Sequence, residues 1–343
     1  MKRKEILKRL GYNVPDSKKK RVIIHSDICN EADDPYAIMQ HLLTPSEEVK
    51  GIIAGHFEWI ATMIPKFADM KGISVEELEN MIKNREIVMD GVTPRGESME
   101  LSYQEGLKIL KLAEIDDIPM LHGSKYEIQD INNLPESEGS DFIIQEVMKD
   151  DDRPLYIALQ GCLTDLAIAY LKEPKIAEKI IAIWIGGGSY PNGGDEFNLK
   201  QDVIAARIIF ESPIKLWQIP SDVYKTIEIS FAELVERIKP CGKIGEYLCE
   251  EMFAFNDKIS KISNGDFPHG ETWCIGDNPT VSVLLQSAMR QCWHIEKAPY
   301  INDDLTYSVN ENGKEIRVYD NIDCRLTIQD MLAKLKLCYG YSN

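Results

Sequence analysis

The sequence has no apolar run approaching the ~20 residues that a membrane-spanning helix needs, and its first residues lack the apolar segment of a secretory signal. Basic residues are also scarce relative to acidic ones. Lys and Arg total 39, Asp and Glu total 56, and the formal net charge at pH 7 is −17. Such a surface repels the phosphates of nucleic acids and of anionic membranes. We therefore expect a cytoplasmic protein that binds neither a nucleic acid nor a membrane.

Paired cysteines and glycine-rich phosphate motifs are missing as well. The eight cysteines are scattered, without a CxxC pair or a zinc-like Cys/His spacing, which is typical of thiols in a reducing cytosol. The segment "WIGGGSYPNGG" (184–194) contains neither GxGxxG nor GKS/T, and acidic residues follow it. A dinucleotide-binding or P-loop interpretation is therefore disfavoured.

Short apolar runs alternate with helical patterns along the chain. The runs are apolar on both faces, which is typical of buried parallel strands, and they cover residues 21–27, 49–55, 118–123, 155–161, 180–188 and 214–220. Segments with apolar spacings of three and four lie between them. This alternation predicts βαβ units, and hence an α/β fold with a mostly parallel central sheet flanked by helices.

The domain organisation follows from length and composition. A chain of 343 residues without a Pro-, Gly- or Ser-rich linker is compatible with one large domain. We expect a basic N-terminal extension over 1–20 and a single domain over 21–343, with helical insertions near 71–110 and 229–271. The segment "INDDLTYSVNENGKEIRVYD" (301–320) predicts a hairpin that turns at "NENG", before a last helix near 327–337.

Polar residues follow several of the predicted strands at the points where the strands end. Asp27 ends the first, His56 the second, Thr164 follows the fourth, and Glu196 and Asn198 follow the fifth. In an open parallel sheet, ligands bind beyond the carboxyl ends of the strands. These side chains, distant in sequence, are therefore expected to converge on one rim of the sheet.

The densest of these segments is "VIIHSDICNEADDPYAI" (22–38), an acidic loop that directly follows an apolar run. Asp27, Glu31, Asp33 and Asp34 offer hard oxygen ligands, which suit calcium or magnesium rather than zinc or copper. The competing interpretation is that Asp34 caps a helix that starts with Pro35. Capping explains one or two carboxylates but not Asp27, so the loop favours a metal site.

The arrangement strand–acidic loop–DD–helix resembles the nucleoside hydrolase family, whose first motif reads DxDPGxDD. "SDICNEADD" is more similar to the longer "TDxxxExDD" loop of related hydrolase-like proteins. The resemblance continues in order along the chain, through "LQGCLTDLAIAYLKEP", "IAIWIGGGSYPNGGDEFNLKQDVIAARIIFES" and "GDNPTVSVLL". It covers roughly residues 20–340 and implies the family's Rossmann-like fold.

The resemblance also implies a calcium site and an activity. Asp27, Asp34 and Asp277 match the family's calcium ligands, and a backbone carbonyl at Thr164 would complete the protein's share of the coordination. Asp27 would act as the general base on a calcium-bound water. The implied reaction is calcium-dependent hydrolysis of the N-glycosidic bond of a ribonucleoside or a related ribosyl compound, which releases base and ribose.

The same resemblance implies how the sugar is held. Asp33 matches the carboxylate that binds ribose hydroxyls, and Asn192, Glu196 and Asn198 match ribose-binding groups. His56 lies near the family's second-strand asparagine. Carboxylates around the sugar would stabilise the oxocarbenium-like transition state electrostatically. Family members usually assemble as dimers or tetramers, so the resemblance also implies a homo-oligomer.

Three departures from the family pattern affect the metal and sugar half of the site. The loop from Asp27 to Asp33 is two residues longer than the commonest pattern, and Glu31 is a candidate extra ligand. His25 replaces the first aspartate of DxD. Asp165 replaces the asparagine of the family's LTN segment.

The weightiest departure affects the leaving base. Many members carry a histidine immediately before the last metal aspartate, whereas Gly276 precedes Asp277 here. Glycine cannot donate a proton. Candidate replacements are His269, Trp273 as a stacking platform, and His56.

Two other functions stay open on these residues. A glycosidase could keep the metal and sugar pocket but cleave a different pentosyl or glycosyl bond, as Gly276 permits. A non-catalytic sugar- or metal-binding protein could keep the scaffold, although an intact Asp27 argues against it. An aspartyl phosphatase, which also begins with strand–DxD, is disfavoured because His25 occupies the nucleophile position.

Overall fold

Six apolar runs of the sequence form the centre of the molecule. The structure, a computed structural model, describes residues 1–58, 64–84, 93–262 and 270–340. These runs become β1 (Lys20–Ser26), β2 (Glu47–Ala54), β3 (Met120–His122), β4 (Leu155–Gln160), β5 (Ile180–Ile185) and β6 (Lys215–Ile219). They pair in parallel in the order β3-β2-β1-β4-β5-β6, which confirms the predicted mostly parallel central sheet.

The C-terminal strands differ from the predicted hairpin over 301–320. The remaining strands are β7 (Glu228–Ser230), β8 (Thr272–Cys274), β9 (Cys292–Lys297), β10 (Tyr300–Ile301), β11 (Tyr307–Ser308) and β12 (Glu315–Asn321). β12 does not pair with β11 across "NENG"; it joins the main sheet, parallel to β6 and antiparallel to β9. A hairpin does form in this segment, but between β10 and β11, which pair antiparallel around residues 302–306. The prediction was therefore wrong about the turn and about β12, because a local pattern does not reveal that the edge of β6 needs a hydrogen-bonding partner.

Helices cover both faces of the sheet. They are α1 (Arg3–Leu7), α2 (Asp34–Leu42), α3 (Ile64–Lys71), α4 (Val75–Lys83), α5 (Ser98–Leu112), α6 (Glu138–Val147), α7 (Thr164–Lys172), α8 (Phe197–Gln201), α9 (Val203–Glu211), α10 (Ser221–Tyr224), α11 (Phe231–Glu233), α12 (Gly242–Ile262), α13 (Pro279–Leu285) and α14 (Cys324–Tyr339). A π-helical turn, Leu234–Ile238, continues α11. No helix among the described residues is long and apolar enough to span a membrane.

The two faces of the sheet bury separate hydrophobic cores. Successive residues of β1 point to opposite faces, so Ile23 packs in one core with Ile157 and Ile24 packs in the other with Ile52. Strands with both faces buried are apolar throughout, which is why the sequence shows continuous rather than alternating hydrophobic runs.

The first ten residues pack against the domain. Ile6 and Leu10 belong to one core, and Arg3 is buried. The Arg3 guanidinium donates to backbone carbonyls at the C-terminal end of α2, in the loop that follows and at the start of β2, at His41, Leu42, Thr44 and Glu47. Burial lowers the pKa of Arg3 to about 10. The boundary at residue 20 and the insertions near 71–110 and 229–271 stay predictions.

Candidate active site

The acidic loop lies at the carboxyl end of β1 and leads into α2. Asp33 occupies the N-cap position of α2 and Pro35 lies in its first turn, but the Asp33 side chain makes no capping hydrogen bond. Asp34 lies within the helix, and its Oδ1 accepts a hydrogen bond from the Ser26 hydroxyl. The capping interpretation therefore does not account for these carboxylates.

Three carboxylates meet where the loop faces the segment before α13. Oxygen atoms of Asp33, Asp34 and Asp277 all lie within 4.8 Å of one another, and the three residues are buried. Asp27 is buried beside them, and its Oδ2 has no hydrogen-bond partner among the described residues. The loop and the α13 segment, 250 residues apart in sequence, thus contribute to one acidic cluster.

Burial raises the pKa of every carboxyl in this cluster, and repulsion from neighbouring carboxylates adds to this for all of them except Asp34. Burial, with the charge of Asp34 next in importance, raises the pKa of both Asp27 and Asp277 well above the ordinary value. Burial raises the pKa of Asp34 to about 6, and burial beside Asp34 raises that of Glu31 to about 7. Carboxylates held together in this way are stabilised by a cation, and an all-oxygen donor set suits calcium or magnesium.

The cluster forms the floor of an open cleft of about 420 Å³. Its lining comprises Asp27, Asn30, Glu31, Asp33, Asp34, Gln160, Ile185, Glu196, Phe197, Asn198, Tyr224, Lys225, Glu228, Cys274, Gly276 and Asp277. Lys225 is the one cationic side chain in this lining, as far as the structure describes the chain. The charge and size of the cleft suit a small polar ligand together with a cation.

Glu196 lines the cleft but is already saturated with hydrogen bonds. Its Oε1 accepts from the Asn198 amide (3.1 Å) and the Tyr224 hydroxyl (2.7 Å), and its Oε2 accepts from the amides of Gly187 (2.7 Å) and Leu199 (2.8 Å). Two carboxylate oxygens offer about four acceptor positions. A sugar hydroxyl can donate to Glu196 only if one of these donors moves away.

The two predicted asparagines are placed differently. Asn198 lines the cleft, where its Nδ2 donates to the carbonyl of Ile185 (3.0 Å). Asn192 is exposed outside the lining of the cleft, and its backbone carbonyl accepts from the amide of Tyr307. In the described structure, Asn198 therefore lines the cleft and Asn192 does not.

His56 and Thr164 lie behind the cleft in a buried polar cluster. The Thr164 hydroxyl donates to Asp202 Oδ2 (2.7 Å), and His56 Nε2 lies 3.0 Å from Thr164 Oγ1 and 3.4 Å from Cys162 Sγ. Neither residue is among the cleft-lining residues that the structure describes. The contact between the two side chains connects the segment after β2 with the start of α7.

At the end of β4, the cleft is lined by Gln160 instead of Thr164. Gln160 is paired with Ser26 in the β1–β4 register, so it lies level with the residue before Asp27. Gln160 was not among the site residues that the sequence predicted. The signal was present, because Gln160 is the last residue of a strand in a parallel sheet and such residues face the ligand-binding rim.

Trp273, a candidate stacking platform for the leaving base, does not line the described cleft. Trp273 is buried in the core, where its ring packs edge-on against Phe255 with the centroids 5.5 Å apart. His269 lies outside the described residues. The ring that does border this part of the cleft is Tyr224.

Tyr224 explains why glycine precedes Asp277. A Cβ atom at Gly276 would lie 2.8 Å from Tyr224 Cδ2, which is closer than carbon atoms pack. The Tyr224 ring therefore occupies the space that a larger side chain at 276 would need. Its hydroxyl is committed to Glu196, and burial raises its pKa well above 10.

Two departures from the family pattern contact each other. His25 Nε2 lies 2.7 Å from Asp165 Oδ2, and both side chains are fully buried. The other oxygen of Asp165 accepts from the Ser124 amide and the Ser137 hydroxyl. Burial alone would raise the pKa of Asp165, but these hydrogen bonds outweigh it and lower the pKa. The ionised Asp165 thus requires His25 Nε2 to be the donor.

We expect His25→Asp to lower the free energy of unfolding by about 3–5 kcal/mol, because it places two buried carboxyls against each other. The double variant His25→Asp/Asp165→Asn should recover most of this loss, since the new amide can donate to the new carboxylate. Urea denaturation of the two variants and the unmodified protein measures both values.

The exposed pair His294–Asp320, with the same contact at 2.8 Å, provides a matched control. His294→Asp should change the free energy of unfolding by less than about 1 kcal/mol, as is usual for exposed ion pairs. If His25→Asp were equally mild, or if Asp165→Asn failed to rescue it, the buried pair would not act as a unit.

Comparison with known proteins assigns the chain to a class. The family model described as inosine-uridine preferring nucleoside hydrolase matches residues 87–329, which is more than half of the chain. The chain therefore belongs to this family, as the motifs predicted. The match begins after the acidic loop, so the sequence motif of that loop is not part of it.

Among curated proteins, the chain is 28% identical to a pyrimidine-specific ribonucleoside hydrolase, RihA, of Enterobacter sp. (strain 638). This similarity covers 148 residues, 42% of this chain and 46% of the relative. It is 25% identical to the inosine-uridine preferring nucleoside hydrolase of Crithidia fasciculata over 150 residues, 42% of this chain and 47% of the relative. The chain thus spans about half the length of the curated relatives it matches.

Solved structures support the fold over almost the whole chain. A plant nucleoside hydrolase, PpNRh1, superimposes with a TM-score of 0.67 at 17% identity, covering 94% of this chain and 99% of the other. The effector protein XopQ in complex with adenosine diphosphate ribose gives a TM-score of 0.61 at 12% identity and covers 97% of both chains. At these identities, the likeness establishes the fold alone.

Proposed function

We propose that the protein is a calcium-dependent hydrolase that cleaves the N-glycosidic bond of a ribonucleoside or a related ribosyl compound into base and ribose. One observation carries the proposal: the buried cluster of Asp27, Asp33, Asp34 and Asp277 lies at the ligand-binding rim of a nucleoside hydrolase fold. Four buried carboxyls without a cation would be costly, so their presence together favours a role that needs them.

Asp27, Asp34 and Asp277 are the residues that would hold the calcium ion, with Asp33 beside them. They fit it because their oxygens are buried, because Asp27 Oδ2 has no partner among the described residues, and because calcium takes six to eight oxygen ligands. When bound, the ion would lower the pKa of a coordinated water and hold sugar hydroxyls. Glu31, at the edge of the cleft, is a further candidate ligand.

Asp27 is the proposed general base. It accepts a proton from water while the water oxygen bonds to the anomeric carbon, and the C–N bond breaks with its electron pair moving to the leaving nucleobase. The nucleobase then takes up a proton from solvent, and Asp27 returns its own proton to solvent. The positive charge that develops on the sugar ring is stabilised by the neighbouring carboxylates.

The sugar contacts are proposed for Asp33 and Asn198, whose side chains line the cleft. Glu196 positions this side of the cleft, because its carboxylate caps the N-terminus of α8 and accepts a hydrogen bond from the Tyr224 hydroxyl. Thr164, His56 and Asn192 receive no ligand contact in this proposal. On the leaving-base side, the Tyr224 ring takes the place of the missing histidine as a surface against the base.

The test is release of reducing sugar from purine, pyrimidine and modified nucleosides, with calcium and with a chelator. ADP-ribose belongs in the panel because Lys225 lines the cleft and because a structural neighbour was solved with that compound. Chelator-sensitive release of ribose is expected. If no ribosyl compound is cleaved in calcium, the proposed activity is wrong.

The saturated Glu196 and the glycine at 276 favour a second candidate, ligand binding without turnover. A cleft in which Glu196 is fully hydrogen-bonded can hold a ribosyl ligand without stabilising its transition state. Calorimetric titration of ribose, adenosine and ADP-ribose into the calcium-loaded protein distinguishes the two. Tight binding without sugar release would favour this candidate.

We also propose a homo-oligomer in a reducing, cytoplasmic environment. The family resemblance supports the assembly, and the free state of all eight cysteines supports the environment. Mass photometry at micromolar and nanomolar concentrations would give the number of subunits.

A further inference from the structure

A buried chain of hydrogen bonds leads from the interior to the floor of the cleft. Glu47 Oε2 lies 2.6 Å from His41 Nδ1, and His41 Nε2 lies 3.1 Å from Thr280 Oγ1. Gln160 Nε2 donates to the same hydroxyl oxygen at 2.8 Å. All four side chains are essentially excluded from solvent.

The direction of each bond follows from counting hydrogens. The Thr280 hydroxyl has one hydrogen, and it donates to the backbone carbonyl of Asp277 at 2.7 Å, which can only accept. The two remaining contacts of Thr280 Oγ1 must therefore be donated to it. Gln160 must present its amide nitrogen, and His41 must carry its hydrogen on Nε2.

His41 and Glu47 fix the inner end of the chain. With a hydrogen already on His41 Nε2, the 2.6 Å contact between Nδ1 and Glu47 requires one further proton, on either the imidazole or the carboxyl. His41 is thereby held at both nitrogens and cannot turn away from Thr280.

The Gln160 amide is oriented as a consequence. Because its nitrogen faces Thr280, its Oε1 points away from Thr280, and this oxygen is buried without a hydrogen-bond partner among the described residues. Gln160 is 1% exposed and lines the cleft together with Asp27, Asp34 and Asp277. An unpartnered buried acceptor of this kind needs a donor or a cation.

We infer that the Gln160 side-chain oxygen is a neutral ligand of the divalent cation, and that Thr280 is the residue that positions it. The inference rests on the cation site of the proposed function. An additional neutral oxygen suits calcium, which takes six to eight oxygen ligands, and it adds no charge to an already repulsive set of carboxylates.

Calcium affinity of the metal-free protein, measured by calorimetric titration without substrate, tests the inference. Gln160→Met keeps the volume and removes the oxygen, and it should weaken calcium binding about 10- to 100-fold. Thr280→Val should weaken it in the same direction, whereas Thr280→Ser keeps the hydroxyl and should retain the affinity. In the double variant Gln160→Met/Thr280→Val, the loss should not exceed that of Gln160→Met.

Gln201→Met is the matched control, because Gln201 is also buried and hydrogen-bonded but is bound to the backbone of Glu58 outside the cleft. It should leave calcium affinity unchanged. Thermal unfolding in chelator separates loss of folding from loss of affinity. If Gln160→Met binds calcium as tightly as the unmodified protein, the inference is overturned while the cation site stands. If the unmodified protein binds no calcium, the cation site itself fails.

Discussion

Asp27→Asn is expected to lower kcat for ribosyl hydrolysis by about 10²- to 10⁴-fold, the usual contribution of a general base. The amide keeps the size of the carboxyl but cannot accept the proton of the attacking water. It also removes one of four mutually repelling buried carboxyls, so the metal-free variant should be at least as stable as the unmodified protein. Steady-state kinetics in saturating calcium, with thermal unfolding in chelator, measures both effects.

Two other variants show whether this loss of kcat reflects the general-base role of Asp27. Asp33→Asn, within the same cluster, should raise KM more than it lowers kcat, because Asp33 is assigned to the sugar hydroxyls. Asp195→Asn, at an exposed residue paired with Lys200, should leave the kinetics unchanged. An Asp27→Asn protein that retained more than a tenth of the original kcat would remove Asp27 from the proposed mechanism.

Removal of calcium should destabilise the protein at neutral pH much more than at mildly acidic pH. The folded-state pKa values of Asp34 (about 6) and Glu31 (about 7) lie above their ordinary values of 3.8 and 4.5. Between about pH 4 and pH 7, the metal-free folded protein therefore binds more protons than the unfolded chain. Its stability must fall as the pH rises through this window.

For Asp34 alone, the shift corresponds to about 3 kcal/mol lost over the whole titration, most of it between pH 4 and neutral pH. In chelator, we expect a Tm several degrees lower at pH 7.5 than at pH 5. At pH 7.5, calcium at about 1,000 times its Kd should restore about 4 kcal/mol. Differential scanning calorimetry at the two pH values, with and without calcium, measures these differences.

Asp277→Asn is the informative variant for this prediction. It lowers the repulsion in the cluster and removes a proposed ligand, so it should raise Tm in chelator at pH 7.5 and abolish most of the stabilisation by calcium. A metal-free protein whose Tm was the same at pH 5 and pH 7.5, and which calcium did not affect, would contradict the account of the cluster.

The sequence by itself determined the architecture and the edge of the sheet at which the candidate site lies. Apolar runs on both faces predicted a buried parallel sheet, and the rule that ligands bind at the carboxyl ends of strands predicted that Asp27 and residues 196–198 lie at one rim. These features depend on local composition and on the order of the strands along the sequence, and both can be read without the tertiary structure.

Tertiary structure decided which side chain at each strand end faces the cleft. Gln160, at the end of the predicted strand, lines the cleft. Thr164, four residues later, instead points inward and donates a hydrogen bond to Asp202. Likewise, β12 completes the sheet at β6 because an open edge needs a partner, a need that no local pattern expresses.

The departures from the family motifs were visible in the sequence, but their meaning was not. His25 and Asp165 are 140 residues apart, and only packing shows that they form one buried hydrogen bond. Gly276 and Tyr224 are separated by 52 positions, and only the fold places the ring where a Cβ would lie. Sequence specifies which groups are available, whereas their pairing depends on close contacts between distant segments, which exist only after the chain has packed.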